Sequence, residues 1–319
     1  MKTSAPRGAW LTKAILYTSS IGSSCVIAGI FFDTYSVFSH FICYFLAYAV
    51  FAYLITLTNT FKRLSWTPTR WRNFLLITAI AQALVLLSLF IPADDADLES
   101  PQHFSIIWMN LHFEEEAINE LAQLVAKRNP DIVVIAEAYS KDLSDKFGAY
   151  SFVFHDIKDS LYLYSKHPLT NPSVVPNGDD RSFLMVDVGI ARRRFRLITT
   201  HLSWPIFDTH QASLQKAGEL AKTFDNVIIA GDFNSAAWAA PFRNMLAEND
   251  LQHARQGYGL MNSWHADRYK MLGLQLDHFV YKGKINNTAF EVLKTEHSDH
   301  YAISAEFDLG GKFLRKLRN

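Results

Sequence analysis

The chain of 319 residues carries 31 Lys or Arg and 31 Asp or Glu, so its formal net charge is zero. That balance conceals a split, because residues 1–93 hold seven bases and one acid whereas the rest holds 24 bases and 30 acids. The acidic part argues against a protein that grips duplex nucleic acid through a basic face, and it has no cysteine for a disulfide framework.

Three uncharged apolar segments fill the amino-terminal part, at 14–32, 37–61 and 74–92. Each is long enough to cross a bilayer core of ~30 Å at ~1.5 Å per residue. We therefore predict a membrane domain over residues 1–93 with three transmembrane helices. A cleaved signal peptide is the alternative for the first segment, and a buried helix of a soluble protein is the alternative for each.

Basic residues are distributed unevenly around these segments. They precede the first segment or lie between the second and third: Lys2, Arg7, Lys13, Lys62, Arg63, Arg70 and Arg72. The positive-inside rule then predicts a cytoplasmic amino terminus. Three crossings would place the rest of the chain outside the cytoplasm, in the periplasm or at the exterior face in a bacterium.

The remaining chain reads as an acidic linker (94–102), an α/β domain (103–309) and a basic tail (310–319) that either touches anionic lipid or frays. Acids in its first turn predict a helix over Glu114–Arg128. Further helices are predicted at 209–223 and 238–248. Short apolar runs predict strands at 131–136, 150–154, 161–165, 183–190, 195–200, 227–231, 276–281 and 301–307.

The segment AGDFNS at 230–235 is the most informative motif. Four apolar residues lead through Gly231 to Asp232 and Asn234, which are two positions apart. Residues with that spacing point to the same side of an extended segment. A carboxylate and a carboxamide are thus predicted to face one spot at a strand end, although both residue types also favour Asx turns.

Other polar residues follow or precede short β-branched runs in the same manner. They are Asn110 in IIWMN, Glu137 in DIVVIAEA, His201 in LITTH, Asp277 in LDHFVY, and Asp299 with His300 in SDH. Strand ends of this kind converge on one rim of a sheet, so these side chains are predicted to form a catalytic site.

Taken in their order along the chain, these motifs resemble those of the endonuclease/exonuclease/phosphatase superfamily, over roughly residues 103–308. The resemblance implies a four-layer α/β sandwich with the site at one end. It also implies a metal-dependent phosphoric ester hydrolase. Mg²⁺ is the expected ion, with Mn²⁺ as the alternative, and Glu137 with Asn110 beside it is the expected ligand pair.

The catalytic roles follow from what phosphate ester hydrolysis needs. Asp232 and Asn234 are expected to position the attacking water and a non-bridging oxygen. His300 is the predicted general base, oriented by Asp299 or Asp277, and Asp232 is the alternative base. A second histidine, at the end of LITTH, is expected to donate a hydrogen bond or proton to the developing phosphorane.

Two further residues are predicted to contact substrate. Arg181 precedes a strand and could reach a phosphate, with a surface role as the alternative. Trp264 follows Ser263, at the place where membrane-associated relatives often have a Thr-Trp pair. His278 is excluded from the site because, next to Asp277 on a regular strand, it should point the opposite way.

Together these features predict a membrane-anchored, Mg²⁺-dependent phosphoesterase. Its partners would be the lipid bilayer and a phosphate ester, preferably a lipid-linked or head-group phosphodiester outside the cytoplasm. An extracytoplasmic nuclease acting on DNA or RNA is the second reading, and a catalytically inactive membrane binding module is the third. The sequence leaves the oligomeric state open.

Overall fold

The structure, a computed structural model, describes residues 7–31, 69–138, 143–178, 181–207, 209–266 and 269–310, and the single positions 38, 40, 46, 50, 52 and 54. The chain divides into two compact units. One comprises Met1–Phe90 with Trp238–Pro241, and the other comprises Ile91–Ala237 with Phe242–Asn319. Most of the second predicted span, 37–61, and nearly all of the basic tail, 310–319, lie outside the described residues.

The first unit contains the long apolar helices α1 (Arg7–Phe31) and α2 (Thr69–Leu87), and a single 3₁₀ turn, Ser88–Phe90, follows α2. Asn73–Phe90 is long and apolar enough to cross a membrane, whereas the apolar stretch Ala14–Ile30 is shorter. Among the described residues only that one helix meets the requirement. The predicted bundle of three membrane helices is therefore not supported, because one segment is short and another is undescribed.

The second unit is built on two large sheets. One sheet contains β1 (Gln102–Asn110), β2 (Ile132–Ala136), β3 (Phe152–Asp156), β4 (Leu161–Ser165), β13 (Ile285–Leu293) and β14 (Ala302–Leu309). The other contains β5 (Leu169–Pro176), β6 (Ser182–Ile190), β7 (Arg193–His201), β8 (Val227–Asp232), β9 (Gln252–His253) and β12 (Asp277–Lys282). A separate hairpin is formed by β10 (Trp264–Ala266) and β11 (Tyr269–Leu274).

Strand order is β13-β14-β1-β2-β4-β3 in the first sheet and β5-β6-β7-β8-β12-β9 in the second. The helices of this unit are α3 (Glu115–Arg128), α4 (Ser144–Phe147), α5 (Thr209–Lys222) and, from Phe242 onward, α6 (Ala240–Glu248). Mixed α/β architecture with two large sheets is thus confirmed, and the three helices predicted for this unit begin and end within two residues of those observed.

Successive side chains of β1 point to opposite faces of the sheet and so pack into two separate apolar layers. Trp108 faces the core between the sheets, where it packs with Leu184 and Ile228 of the other sheet. Ile107 faces the opposite way, toward Leu121 of α3. Because the second half of the strand is buried on both faces, Ile106–Met109 reads as an unbroken apolar run rather than as an alternating one.

Parallel pairing brings the functional strand ends together. β1 pairs with β2 so that Asn110 lies opposite Ala136, and β7 pairs with β8 so that His201 lies opposite Asp232. β12 runs antiparallel to β8 and begins at Asp277, directly opposite Asp232. These registers place four motif residues at strand ends, and the hydrogen bond from Asn110 to Asp232 joins the strand ends of the two sheets.

Candidate active site

Asp232 lies at the centre of the cluster and is almost fully buried. Its Oδ1 accepts a hydrogen bond from the backbone N–H of Asn234 at 2.8 Å, and its Oδ2 accepts one from Asn110 Nδ2 at 3.3 Å. The same Oδ2 lies 3.6 Å from His201 Nε2 and 3.7 Å from His300 Nε2. The Asx turn that was the alternative for these residues therefore exists, and within it the carboxylate also lies close to two imidazoles.

The glycine before Asp232 is required by the packing of two strands. A Cβ at Gly231 would collide with the carbonyl oxygen of Thr200 on β7. Asn234, in the left-handed region with φ of 46°, donates from Nδ2 to the carbonyl of Leu202 at 2.9 Å. Leu202 N–H in turn donates to the carbonyl of Asp232 at 2.9 Å. The loops after β7 and β8 are thus fastened to each other.

Asp277 orients His300. Its Oδ2 lies 2.8 Å from His300 Nδ1, and its Oδ1 accepts a hydrogen bond from Trp108 Nε1 at 2.8 Å. Its backbone N–H donates to Ser263 Oγ at 3.0 Å. Of the two acids that the sequence left open, Asp277 therefore holds the ring, and Asp299 does not.

The charges of Asp232, Asp277 and His300 follow from their burial and from their neighbours. Burial opposes the charged form of His300, but the carboxylates of Asp277 and Asp232 outweigh it and raise the pKa to about 10. Burial would raise the pKa of Asp277. The charge of His300 and the hydrogen bonds that Asp277 makes outweigh burial and lower this pKa. Burial and the charge of Asp277 raise the pKa of Asp232 to about 7.

Glu137 and His201 form the second part of the site. Glu137 follows β2 with a left-handed φ of 52°, and its Oε1 lies 3.4 Å from His201 Nε2. Burial raises the pKa of the Glu137 carboxyl. Burial, followed by the charges of Arg181 and His300, holds the pKa of His201 well below its usual value. His201 is thus a neutral imidazole beside two acids.

The donor set fits a hard divalent cation. Glu137 supplies a carboxylate 17 % exposed beside Asn110, whose Oδ1 accepts only the backbone N–H of His112 at 2.9 Å among the bonds described. Asp232, Asp277 and His300 also place ligand atoms within 4.8 Å of one another. Both oxygens of Asp277 already accept hydrogen bonds, which leaves Asp277 less available to a cation.

The remaining predicted residues line the rim. Asp299 accepts a hydrogen bond from Trp264 Nε1 at 2.8 Å through Oδ2, and its Oδ1 lies 3.6 Å from His112 Nδ1. Arg181 donates from NH1 to the carbonyls of His201 and Leu202, each at 3.3 Å. The tryptophan indole is thus engaged with an acid of the SDH motif, and the arginine supports the loop after β7.

Some supporting residues carry no motif signal. Arg255 is fully buried, donates to the carbonyls of Asp277 and Met261, and so fixes the start of β12. His112 likewise belongs to none of the motifs. Trp108 could have been found, because it lies two positions before Asn110 on the same strand and therefore points to the same side.

His278 lies behind the site, as the alternation of the strand predicts. Its Nδ1 lies 3.0 Å from His253 Nε2, and its Nε2 donates to the carbonyl of Ser235 at 2.7 Å. Its ring packs against Phe242 with centroids 4.4 Å apart. Burial is the main cause that lowers its pKa to about 3.

The family model for the endonuclease/exonuclease/phosphatase family matches residues 107–300, and the chain belongs to this family. Members of the family are hydrolases that act on phosphoester bonds and depend on divalent metals. Among the curated proteins none matches this chain.

Solved structures share the fold at low identity. The endonuclease/exonuclease/phosphatase from Beutenbergia cavernae is 17 % identical with a TM-score of 0.55, covering 66 % of this chain and 72 % of that one. The human nocturnin catalytic domain with bound sulfate is 17 % identical with a TM-score of 0.54, covering 67 % and 96 %. D. rerio TDP2 complexed with a single-strand DNA product is 16 % identical with a TM-score of 0.53, covering 65 % and 99 %.

Proposed function

We propose that this protein is a membrane-anchored, Mg²⁺-dependent phosphodiesterase that hydrolyses a lipid-linked or head-group phosphodiester. The observation that carries the hydrolytic part is the convergence of His201, His300 and Asn110 on one oxygen of Asp232, next to Glu137. Such a cluster supplies a base, two hydrogen-bond donors and oxygen ligands within one small site.

The Glu137–Asn110 pair would hold the cation beside the reacting phosphate. A bound divalent cation would neutralise charge on the phosphoryl oxygens, which otherwise repel a nucleophile. Asp232 and Asn234 would position the attacking water and a non-bridging oxygen.

Asp232 is the better-placed general base. Its Oδ2 is the oxygen on which both imidazoles converge, and its pKa of about 7 suits proton uptake near neutral pH. His300, with a pKa of about 10, is an imidazolium at that pH. It therefore fits a donor to the phosphorane or leaving oxygen better than it fits the base.

The lipid substrate is supported by three features outside the reacting centre. Asn73–Phe90 is apolar and long enough to cross a bilayer. The chain after residue 93 has about six more acids than bases. In the basic ARRRFR segment, Arg193 is buried and donates to the carbonyls of Ser100 and Leu309, and Arg196 pairs with Asp187. These two arginines serve the fold rather than a phosphate backbone, whereas Arg192 and Arg194 of the same segment are exposed.

A direct assay tests the reaction and separates it from nuclease activity. Purified full-length protein with Mg²⁺ is given phospholipids, lipid diphosphates, plasmid DNA and soluble phosphomonoesters, with Asp232→Asn as the inactive control. We expect release of a head group or phosphate from a lipid. Cleavage of DNA alone would replace the lipid hydrolase with a nuclease, and no turnover of any substrate would support the inactive binding module.

We also propose a cytoplasmic amino terminus and a catalytic unit outside the cytoplasm. The support is the seven basic residues on alternate sides of the apolar segments. A reporter fused after Asn319 should work only outside the cytoplasm. A reporter active only inside, with the domain resistant to protease added to spheroplasts, would invert the topology.

A further inference from the structure

An exposed apolar turn follows β7 directly. Its side chains Trp204, Ile206 and Phe207 are 58 %, 67 % and 56 % exposed. Large apolar side chains that are exposed close together on one turn are typical of a surface that contacts a partner.

The turn is held in one shape by its backbone. Phe207 N–H donates to the carbonyl of Trp204 at 3.0 Å, and His210 N–H donates to the carbonyl of Phe207 at 3.1 Å. Pro205 occupies the second position of this turn, where its fixed φ is favourable. The apolar side chains are therefore displayed by a structured turn that runs into α5.

The turn is joined to the catalytic centre. The carbonyl of Leu202 accepts hydrogen bonds from Asn234 Nδ2 at 2.9 Å and from Arg181 NH1 at 3.3 Å. Trp204 follows His201 by three residues, which span at most about 11 Å. Whatever binds the turn is consequently held within reach of the reacting phosphate.

The chemistry of the turn selects its partner. No basic residue occurs over 202–209, whereas platforms that stack nucleic-acid bases combine aromatic rings with a basic groove. Trp and Phe beside an aliphatic side chain are typical of segments that enter the interfacial layer of a bilayer. Asn73–Phe90 of the same chain is apolar and long enough to cross a bilayer.

We propose that the Trp204–Phe207 turn inserts into the head-group layer of the bilayer and thereby presents lipid phosphodiesters to the catalytic site. The inference deepens the proposed function and rests on it. It predicts that the turn is used on substrates in a membrane and is dispensable for the chemical step itself.

Lipid contact is tested without knowledge of the substrate. Full-length protein is reconstituted in vesicles of phosphatidylcholine with or without bromine on the acyl chains, and tryptophan emission is compared with that of Trp204→Phe. The difference between the two proteins isolates Trp204 from the other tryptophans. We expect bromine to quench that difference signal at least about twofold. An unquenched signal overturns the proposal, and quenching by a single-stranded oligonucleotide instead makes the turn a base-stacking platform.

Turnover gives the second test. Trp204→Ser/Ile206→Ser/Phe207→Ser is compared with the wild type on vesicle phospholipid and on bis(p-nitrophenyl) phosphate, a soluble phosphodiester. We expect the ratio of vesicle to soluble turnover to fall at least about tenfold, because each lost apolar contact weakens membrane binding. Val153→Ser, which alters a 48 % exposed side chain on β3, should leave the ratio unchanged.

The two tests separate failure of this inference from failure of the proposed function. An unchanged ratio in the triple variant, with Mg²⁺-dependent turnover of both substrates, overturns the role of the turn alone. Absence of turnover on both substrates in the wild-type protein refutes the phosphodiesterase, and the inference that rests on it falls with it.

Discussion

Two buried pairs that each contain a histidine lie on opposite sides of β12, and the pKa values of His300 and His278 shift in opposite directions. Asp277 points into the site and holds His300 at 2.8 Å, whereas its neighbour His278 points behind the site and contacts His253 at 3.0 Å. All four side chains are buried. The pairs differ in whether a carboxylate accompanies the imidazole.

That difference sets the charge. Carboxylates raise the pKa of His300 to about 10 in spite of its burial, whereas burial, with the charge of Arg255, lowers the pKa of His278 to about 3. The front pair is therefore an ion pair that can move protons, and the back pair is a neutral hydrogen-bonded support. Burial alone does not decide whether a histidine is functional; its partner does.

The largest expected effect is on the front side, at the proposed metal ligand. Glu137→Gln keeps the shape of the side chain and removes its charge, so hydrolysis should fall by about 10³-fold or more. The matched control is Glu116→Gln, on the exposed face of α3, which should keep wild-type turnover. Full activity of the wild-type protein in excess chelator would contradict the metal-dependent mechanism.

His300→Ala should reduce turnover at least ~100-fold, as expected for loss of an acid–base group. Because the ring is buried against Asp277, the variant should also lose about 3–5 kcal/mol of unfolding free energy. A ring on an open rim would instead leave the unfolding free energy nearly unchanged.

A double variant separates these two effects. Asp277→Asn/His300→Gln removes both charges and should recover much of the stability without recovering activity. Chemical denaturation and steady-state turnover of the three proteins measure both. Recovery of activity with stability would show that His300 acts only through the fold.

On the back side, substitution should affect stability rather than chemistry. His278→Leu leaves His253 and the carbonyl of Ser235 without their partner, at a cost of about 2–4 kcal/mol. Turnover per folded molecule should stay within about threefold of the wild type. A loss of ~100-fold in well-folded protein would place this histidine in the reaction.

The smallest effect concerns pH. Since the folded-state pKa of His278 is about 3, below the ordinary 6.5, the unfolded chain takes up the proton first as pH falls. Its contribution to stability is complete above pH 6.5 and is lost below it, by about 1.4 kcal/mol per pH unit for one proton.

The pH comparison uses the wild type and His278→Leu in chelator, between pH 7 and 5. As the pH falls, the unfolding free energy of the variant should decline less steeply than that of the wild type, although the variant has the lower value at pH 7. Equal slopes would mean that His278 is not held neutral. His300 has the opposite sign, because its raised pKa gives a contribution present at low pH and lost as pH rises through about 10.

Much of the fold was readable from local patterns. Apolar runs predicted β2, β4, β7 and β8 within two residues of their observed ends, and α3 and α5 to within one. The strands β5, β9, β10, β11 and β13 were missed. Of these, β5, β9 and β13 are edge strands of the two large sheets, and β10 and β11 form a separate hairpin. Exposed edges carry polar residues and prolines that blur the apolar pattern.

The sequence by itself determined which polar side chains end their strands, because period-two alternation and a buried run fix where Asp232, Asn110 and His201 must point. It also determined that His278 faces away from the site. Only the tertiary structure decided that Asp277 rather than Asp299 holds His300, and that Trp108 in turn holds Asp277. Those partners lie far apart along the chain and meet only when the two sheets pack, and the same packing sets the burial and charge that shift their pKa values.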